Sequence, residues 1–281
     1  MSDIAISFIV LFTAIGHSLW NAFLKKSGDP FLMAVGIYLT GFVFGAVAAL
    51  VSPIPAPECW PFLVITAVAN VASNMLLANA YRFGDLSQIY PIARGSSPLI
   101  VVAFSMIFID EDPGPWRLAG IVLISIGIMV LAAGASGRFR GRPVAMAVAT
   151  GLLIGVYSFF GGVGVRAAHT ALGFAGWLHI LTGTGMVLGG VGLRGPGFLH
   201  RDPLIVLRGA AAGIVAIGGF AISLWAMTRL SLGAVTALRE TSAVFGTLIG
   251  IAAFHEECGR RRLLAACMVS TGIAIVGFSI A

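Results

Sequence analysis

Charge is scarce in this chain. Of its 281 residues only 10% are charged, whereas a soluble domain carries about 25%, and that shortage excludes an ordinary water-soluble globule. Cysteine is scarce too. Cys59, Cys258 and Cys267 form no CxxC pair and Cys267 lies within an apolar run, which excludes a disulfide framework and a thiolate metal site. No G-x-S-x-G, H-E-x-x-H, P-loop or G-x-G-x-x-G context occurs, and the HEEC stretch at 255–258 lacks metal-ligand spacing. No catalytic residue, cofactor or metal is therefore expected. Alternating ten-residue segments are missing as well, which removes a membrane β-barrel. The net charge of +6 is dispersed through short loops, where bilayer headgroups explain it better than nucleic acid.

What the chain does have is apolar length. Hydrophobic residues make up 58% of it, with a mean hydropathy of +1.00, and about 20 such residues span a bilayer as a helix. Ten runs are readable, at 4–24, 31–52, 60–81, 86–108, 116–135, 143–165, 173–193, 204–228, 232–254 and 262–280. The first has no basic leader or A-x-A-like site and ends on Trp20, Asn21, Lys25 and Lys26, so it reads as a retained helix. Connections are short, which leaves no room for a receptor or scaffold domain.

The chain also repeats itself. HSLWNAFLKK lies over YSFFGGVGVR at an offset of 140, pairing His17 with Tyr157, Ser18 with Ser158 and Lys26 with Arg166. DEDPGPWRLAGIVLISIGI lies over HEECGRRRLLAACMVSTGI at an offset of 145, pairing Glu111 with Glu256, Arg117 with Arg262 and Gly127 with Gly272. Residues 1–137 and 143–281 thus form two five-helix repeats around a basic linker, 138–142. Five is odd, so the second copy enters the membrane from the opposite side. The expected fold is an all-α membrane protein with ten transmembrane helices as two inverted repeats, an architecture that secondary transporters use to hold substrate near the midplane.

Lys and Arg favour the odd-numbered loops. Those carry Lys25, Lys26, Arg82, Arg138, Arg140, Arg142, Arg194, Arg201, Arg208 and Arg260 to Arg262, against Arg117, Arg166 and Arg229 in the even loops. By the positive-inside rule both termini lie outside.

The stretch from Leu77 to Ile128, LANAYRFGDLSQIYPIARGSSPLIVVAFSMIFIDEDPGPWRLAGIVLISIGI, resembles the repeat of EamA-type transporters in the drug/metabolite transporter superfamily. LWAMTRLSLGAVTALRETSAVFGTLIGIAAFHEECGRRRLLAACMVSTGI is a weaker second copy, and HSLWNAFLKKSGD extends the resemblance to the start. The usual Gly-Glu after the fourth helix is Asp110-Glu111 here, and after the ninth it is His255-Glu256. Pro91 of the first copy becomes Ala237 in the second. The first half also resembles bacterial membrane proteins associated with phosphonate utilisation. The resemblance implies a transporter, and termini in the cytoplasm, opposite to the charge count. Its substrates range over amino acids, drugs, sugar phosphates and nucleotide sugars.

Ionisable side chains at mid-span cost at least ~2.5 kcal/mol to insert, so Arg94, Arg239 and Glu240 are functional candidates. The fourth run puts Ser87, Tyr90, Arg94 and Ser97 on one face, and the ninth Thr236, Glu240 and Thr247. At an offset of 146, Tyr90 meets Thr236 and Arg94 meets Glu240. Either the two charges pair across the repeats and hold them together, or an arginine receives an anionic substrate group and Glu240 an amino group or proton. His17, Trp20 and Asn21 share a face of the first helix. In the related small multidrug-resistance transporters the position eight before a helix-end lysine holds a proton-binding glutamate, and here it holds His17, eight before Lys25. His17 is either a proton-coupling group or a hydrogen-bonded member of the bundle. Asn74 is a candidate ligand, Asn70 more a stitch between helices, and Trp177 and His179 mark a membrane interface.

The expected substrate-binding set is His17, Trp20, Asn21, Asn74, Tyr90, Arg94, Tyr157, Arg239 and Glu240. The expected function is secondary transport of a small polar metabolite, amino-acid-like or an organic anion or zwitterion, by alternating access across the bacterial inner membrane, with export the favoured direction. A multidrug or organic-cation exporter, a channel and a membrane enzyme stay as alternatives. Partners are the small-molecule substrate, protons as coupling ion and the lipid bilayer, for a monomer or homodimer.

Overall fold

A computed structural model describes residues 1–25, 27–80, 86–132, 141–245 and 260–279, with the backbone alone at 19–25, 86–88, 131–132, 143 and 262. All regular structure in these residues is helical: α1 Asp3–Lys25, α2 Pro30–Val51, α3 Trp60–Ala80, α4 Leu86–Phe108, α5 Gly114–Ala132, α6 Gly141–Ala167, α7 Ala171–Arg194, α8 Pro203–Met227, α9 Leu232–Glu240 and α10 Arg260–Phe278, with 3-10 turns at Pro57–Cys59 and Phe198–His200. Each apolar run of the sequence holds one of them.

The helix starts are written in short motifs. Asp29-Pro30 and Asp202-Pro203 each put a carboxylate at the cap, accepting from Leu32 N at 3.0 Å and Ile205 N at 3.1 Å, and a proline at the first helical position. Asp29 also pairs with Arg194 at the far end of α7. Burial alone would raise its carboxyl, but the guanidinium and the Leu32 amide hold it below the usual carboxylate value.

The ninth run departs from expectation. It was expected to run unbroken from 232 to 254, but α9 stops at Glu240 and helix resumes only at 242–245. The Thr241 hydroxyl donates to Leu238 O at 2.6 Å, competing with the backbone for that carbonyl. The remainder of that run, with Thr247, lies outside the described residues.

Among the described residues, six segments are long and apolar enough to cross a membrane: Pro30–Val51, Pro57–Ala80, Ile89–Phe108, Val144–Ala167, Ala171–Arg194 and Pro203–Met227; shorter apolar helices occupy Asp3–Ser18, Gly114–Val130 and Leu263–Phe278. Large apolar side chains face outward, among them Phe8, Phe12, Val43, Leu50, Val68, Leu207 and Ile214, while Arg94, Arg239 and Glu240 are inside. That inversion of the water-soluble pattern suits a hydrocarbon solvent.

Helix packing follows a rule. α2 packs on α7, α4 on α9 and α5 on α10; α2 packs on α8 as α7 does on α3; α3 packs on α6 as α8 does on α1; α4 packs on α6 as α9 does on α1. Adding or subtracting five from every helix number reproduces the same set. α5 and α10 show it residue by residue. A Cβ on Gly272 would lie 2.7 Å from Gly120 O, and one on Gly127 would lie 3.2 Å from Ala265 O. Shifting by 145 converts one contact into the other, and the rising and falling numbers make the two helices antiparallel. Among the described residues, only α4 on α5 is an extensive contact within either half.

Glycine permits the closest approaches. On Gly36 a Cβ would lie 2.3 Å from Val206 O, and on Gly209 it would lie 2.3 Å from Met33 O, so α2 and α8 touch backbone to backbone. The Gly-x-x-x-Gly pair at Gly41/Gly45 serves likewise, Gly45 lying against the Gly176 carbonyl of α7.

Candidate functional site

Eight of the helices surround a cavity of about 100 Å³, large enough for several waters at roughly 10–15 Å³ each or for one small molecule. α5 and α10 pack outside it. One side of its lining is built on Arg94 of α4. Helix α4 contains Pro91 and Pro98, and Pro98 has no N–H for the Arg94 carbonyl four residues back. The Ser97 hydroxyl donates to that carbonyl at 3.2 Å instead. This is what Ser97 does; its side chain is spent on the helix, as Thr236 spends its own on Leu232 O at 2.8 Å.

The Arg94 side chain bridges three helices. Nη1 donates to Glu240 Oε2 at 2.7 Å, Nη2 lies 2.9 Å from His17 Nε2, and the guanidinium carbon stands 5.1 Å from the Tyr90 ring centre. A guanidinium nitrogen can only donate, so His17 Nε2 accepts and the imidazole carries its proton on Nδ1. Between the two readings of His17, this geometry is that of a hydrogen-bonded member of the bundle. Glu240 is fully buried, and its other oxygen takes Arg239 Nη2 at 3.0 Å. Arg239 Nη2 also reaches Ser158 Oγ at 3.2 Å and the Tyr157 hydroxyl oxygen at 3.4 Å, its guanidinium facing the Tyr157 and Phe220 rings.

Of the two readings of these charges, the pairing of Arg94 with Glu240 is present, with Arg239 as a third member. Among the described residues, two buried guanidinium groups share one carboxylate, leaving one positive charge in excess. Arg94 Nε in addition has no hydrogen-bond partner among the described residues. Charge taken out of water is costly unless paired, so the arrangement suits an anion in the cavity.

Of the residues expected at the site, His17, Asn74, Tyr90, Arg94, Tyr157 and Arg239 line the cavity. Glu240 stands behind them, joining the two arginines. Trp20 and Asn21 lie on α1, and their side chains, like Ser87, fall outside the described ones.

Several lining residues went unread in the sequence. Tyr38 OH donates to Asn70 Oδ1 at 2.5 Å and accepts from Asn74 Nδ2 at 2.7 Å, so Asn70, expected only to stitch helices, both stitches and lines the cavity. His179 is a correction. It was expected at a membrane interface beside Trp177, yet it is 2% exposed and lines the cavity with Thr182. Trp177 turns the other way, edge-on to Trp60 at 5.2 Å. Two residues along a helix rotate a side chain by about 200°, so neighbours in sequence face opposite surroundings. The signal was available in the spacing of His179 and Thr182, at i and i+3 on one face.

Glu111 and Arg166 make a second polar cluster at one end of the bundle. Arg166 donates to Glu111 Oε2, Met227 O and Leu230 O at 2.7, 2.7 and 2.8 Å, and Glu111 Oε1 accepts Leu232 N at 2.8 Å. The cationic side chain thus takes up carbonyls where α8 ends, and the anionic one caps the start of α9, whose own Ser231 makes no side-chain cap. These contacts fix how α9 enters the bundle, and with it Arg239 and Glu240.

No curated protein matches the chain. Among solved structures, one described only as "Crystal structure of protein" superposes with a TM-score of 0.74 at 19% identity, over 97% of this chain and 95% of its own. At that identity the likeness speaks for the fold alone. The EamA-like transporter family matches residues 3–133, which take in α1 to α5 with Arg94 and the Asp110-Glu111 turn. By that match the first half of the chain is similar to the EamA-like transporter family, and the described residues hold six helices long and apolar enough to cross a membrane.

Proposed function

We propose that this protein is a secondary transporter for a small organic anion, built from two inverted five-helix repeats that expose a central site alternately to each side of a bacterial inner membrane, and that it works as an exporter. One observation carries the substrate class: Arg94 and Arg239 share Glu240 beside the cavity, so one buried positive charge has no counter-ion among the described residues. The antiparallel α5–α10 contact and the packing pattern that repeats on a shift of five helices support the inverted architecture.

In this reading the arginines receive the anionic group through their planar forks. His17 holds Arg94 in place, Tyr90 and Tyr157 flank the guanidinium faces, and Asn74 reaches the substrate from α3. Trp20 and Asn21 continue the His17 face of α1. Glu240 has both oxygens engaged, which disfavours it as a receiver of ammonium groups and weighs against an organic-cation exporter. Because Arg94 and Glu240 are pseudo-equivalent residues in contact, they sit on the axis relating the halves. A substrate bound there can move the charge balance of both halves at once.

The test is a thermal-shift screen of purified protein with small carboxylates, organic phosphates, amino acids and organic cations. Anions are expected to raise the melting temperature. Arg94→Ala, which leaves the Arg239–Glu240 pair intact and so keeps the fold, is expected to abolish the shift. In proteoliposomes the active anion should show saturable, trans-stimulated uptake, which separates a carrier from a pore. Stabilisation by cations alone, or an unchanged shift in the Arg94→Ala protein, would overturn the assignment.

A further inference from the structure

The cavity has two unlike walls. α1, α4, α6 and α9 bring His17, Arg94, Tyr157 and Arg239; α2, α3 and α7 bring Tyr38, Asn70, Asn74, His179 and Thr182, with no acid, lysine or arginine. Apolar Ile37, Leu77, Ile217 and Phe220 complete the lining. A ligand touching both walls therefore has a charged end and an uncharged polar end.

On the uncharged wall most polar atoms are already engaged. Tyr38, Asn70 and Asn74 bond one another, and the Thr182 hydroxyl donates to Leu178 O at 2.9 Å. His179 differs. It is 98% buried, it lines the cavity, and neither ring nitrogen has a hydrogen-bond partner among the described residues. A neutral imidazole carries one N–H donor and one acceptor, and buried groups of that kind are nearly always satisfied. The ring is positioned without using either nitrogen, because Phe44 and Phe220 hold it edge-on at 5.7 and 5.8 Å. Packing fixes its direction and leaves its hydrogen-bonding capacity for whatever enters.

We propose that His179 is a substrate-binding residue that recognises an uncharged hydroxyl, carbonyl or amide at the end of the organic anion remote from its charge. The proposal rests on the anion reading above and adds the second chemical feature that selects among anions.

Butyrate and 4-hydroxybutyrate, which differ only in a terminal hydroxyl, are suitable probes for calorimetric binding to the purified protein. Wild type is expected to prefer the hydroxy acid by roughly three- to tenfold, the worth of one net hydrogen bond. His179→Phe keeps an aromatic ring against Phe44 and Phe220, so it should bind both acids alike. His179→Gln, which keeps a donor and an acceptor, should restore part of the preference. Without ligand, His179→Phe should melt at or above the wild-type temperature, because two unmet polar atoms are removed. A preference that survives in His179→Phe, no preference in wild type, or a lower ligand-free melting temperature for His179→Phe would each overturn the role of His179 while leaving butyrate binding, and so the anion reading, intact. Failure of both acids to bind wild type would overturn the anion reading and this proposal with it.

Discussion

Asp110 shows how one backbone angle explains a residue preference. It follows α4 with φ at 49°, in the left-handed region where a Cβ is strained and glycine is not. The preceding amide of Ile109 and the following amide of Glu111 both donate to Ser105 O, at 3.2 and 3.1 Å, so the turn also caps α4. Related transporters place glycine before the glutamate at this point, and aspartate is tolerated because short polar side chains visit this region more readily than others. Asp110→Gly is expected to stabilise the protein by about 0.5–1 kcal/mol, seen as a higher melting temperature in detergent, and Asp110→Val to destabilise it. The reverse order would remove this account of the turn. At this scale the sequence was partly transparent. Arg94 and Glu240 stood out because charge in an apolar run is rare and their offset matched the repeat. Tyr38 was silent, because one phenol in an apolar run alters neither charge nor periodicity. His179 was misread because hydropathy measures depth along a helix and not the direction a side chain faces.

Helices were more legible than residues. Each apolar run holds helix among the described residues, and Asp-Pro caps that depend only on neighbours in sequence fix the starts of α2 and α8. The break at Thr241 was not readable, since a threonine hydroxyl chooses between solvent, partner and its own backbone according to its surroundings. Which glycines matter was not readable either: with 37 of them, spacing alone does not separate contact from coincidence. The structure separates them. Gly36→Val places a side chain against the Val206 carbonyl, where a Cβ alone would lie at 2.3 Å, whereas Gly192 has open space around it. Gly36→Val is expected to lower stability by about 1–3 kcal/mol or more and to reduce the monodisperse fraction after solubilisation; Gly192→Val should do neither. Equal behaviour of the two variants would mean that the α2–α8 contact yields easily.

For the whole molecule, the two halves are interleaved and do not stand side by side. Apart from α4 on α5, the extensive helix contacts among the described residues cross from one half to the other. Residues 1–137 and 138–281 made as separate chains are therefore expected to be degraded when expressed singly and to copurify when expressed together. A stable, monodisperse first half on its own would contradict this. The expectation of a repeat came from sequence landmarks such as Glu111 and Glu256. The interleaving was not legible there, because it depends on which faces meet and leaves no mark in the order of residues.

The Arg94–Glu240 pair has a consequence for the birth of the protein. The two residues are 146 positions apart, so at synthesis rates of about 5–20 residues per second the arginine waits roughly 7–30 s for its acid. During that interval α4 is already made, and its guanidinium must rest beside water, headgroups or the translocation machinery until α9 emerges. Quality-control proteases that survey membranes for stray charge thus have a defined window, closed by the arrival of one glutamate.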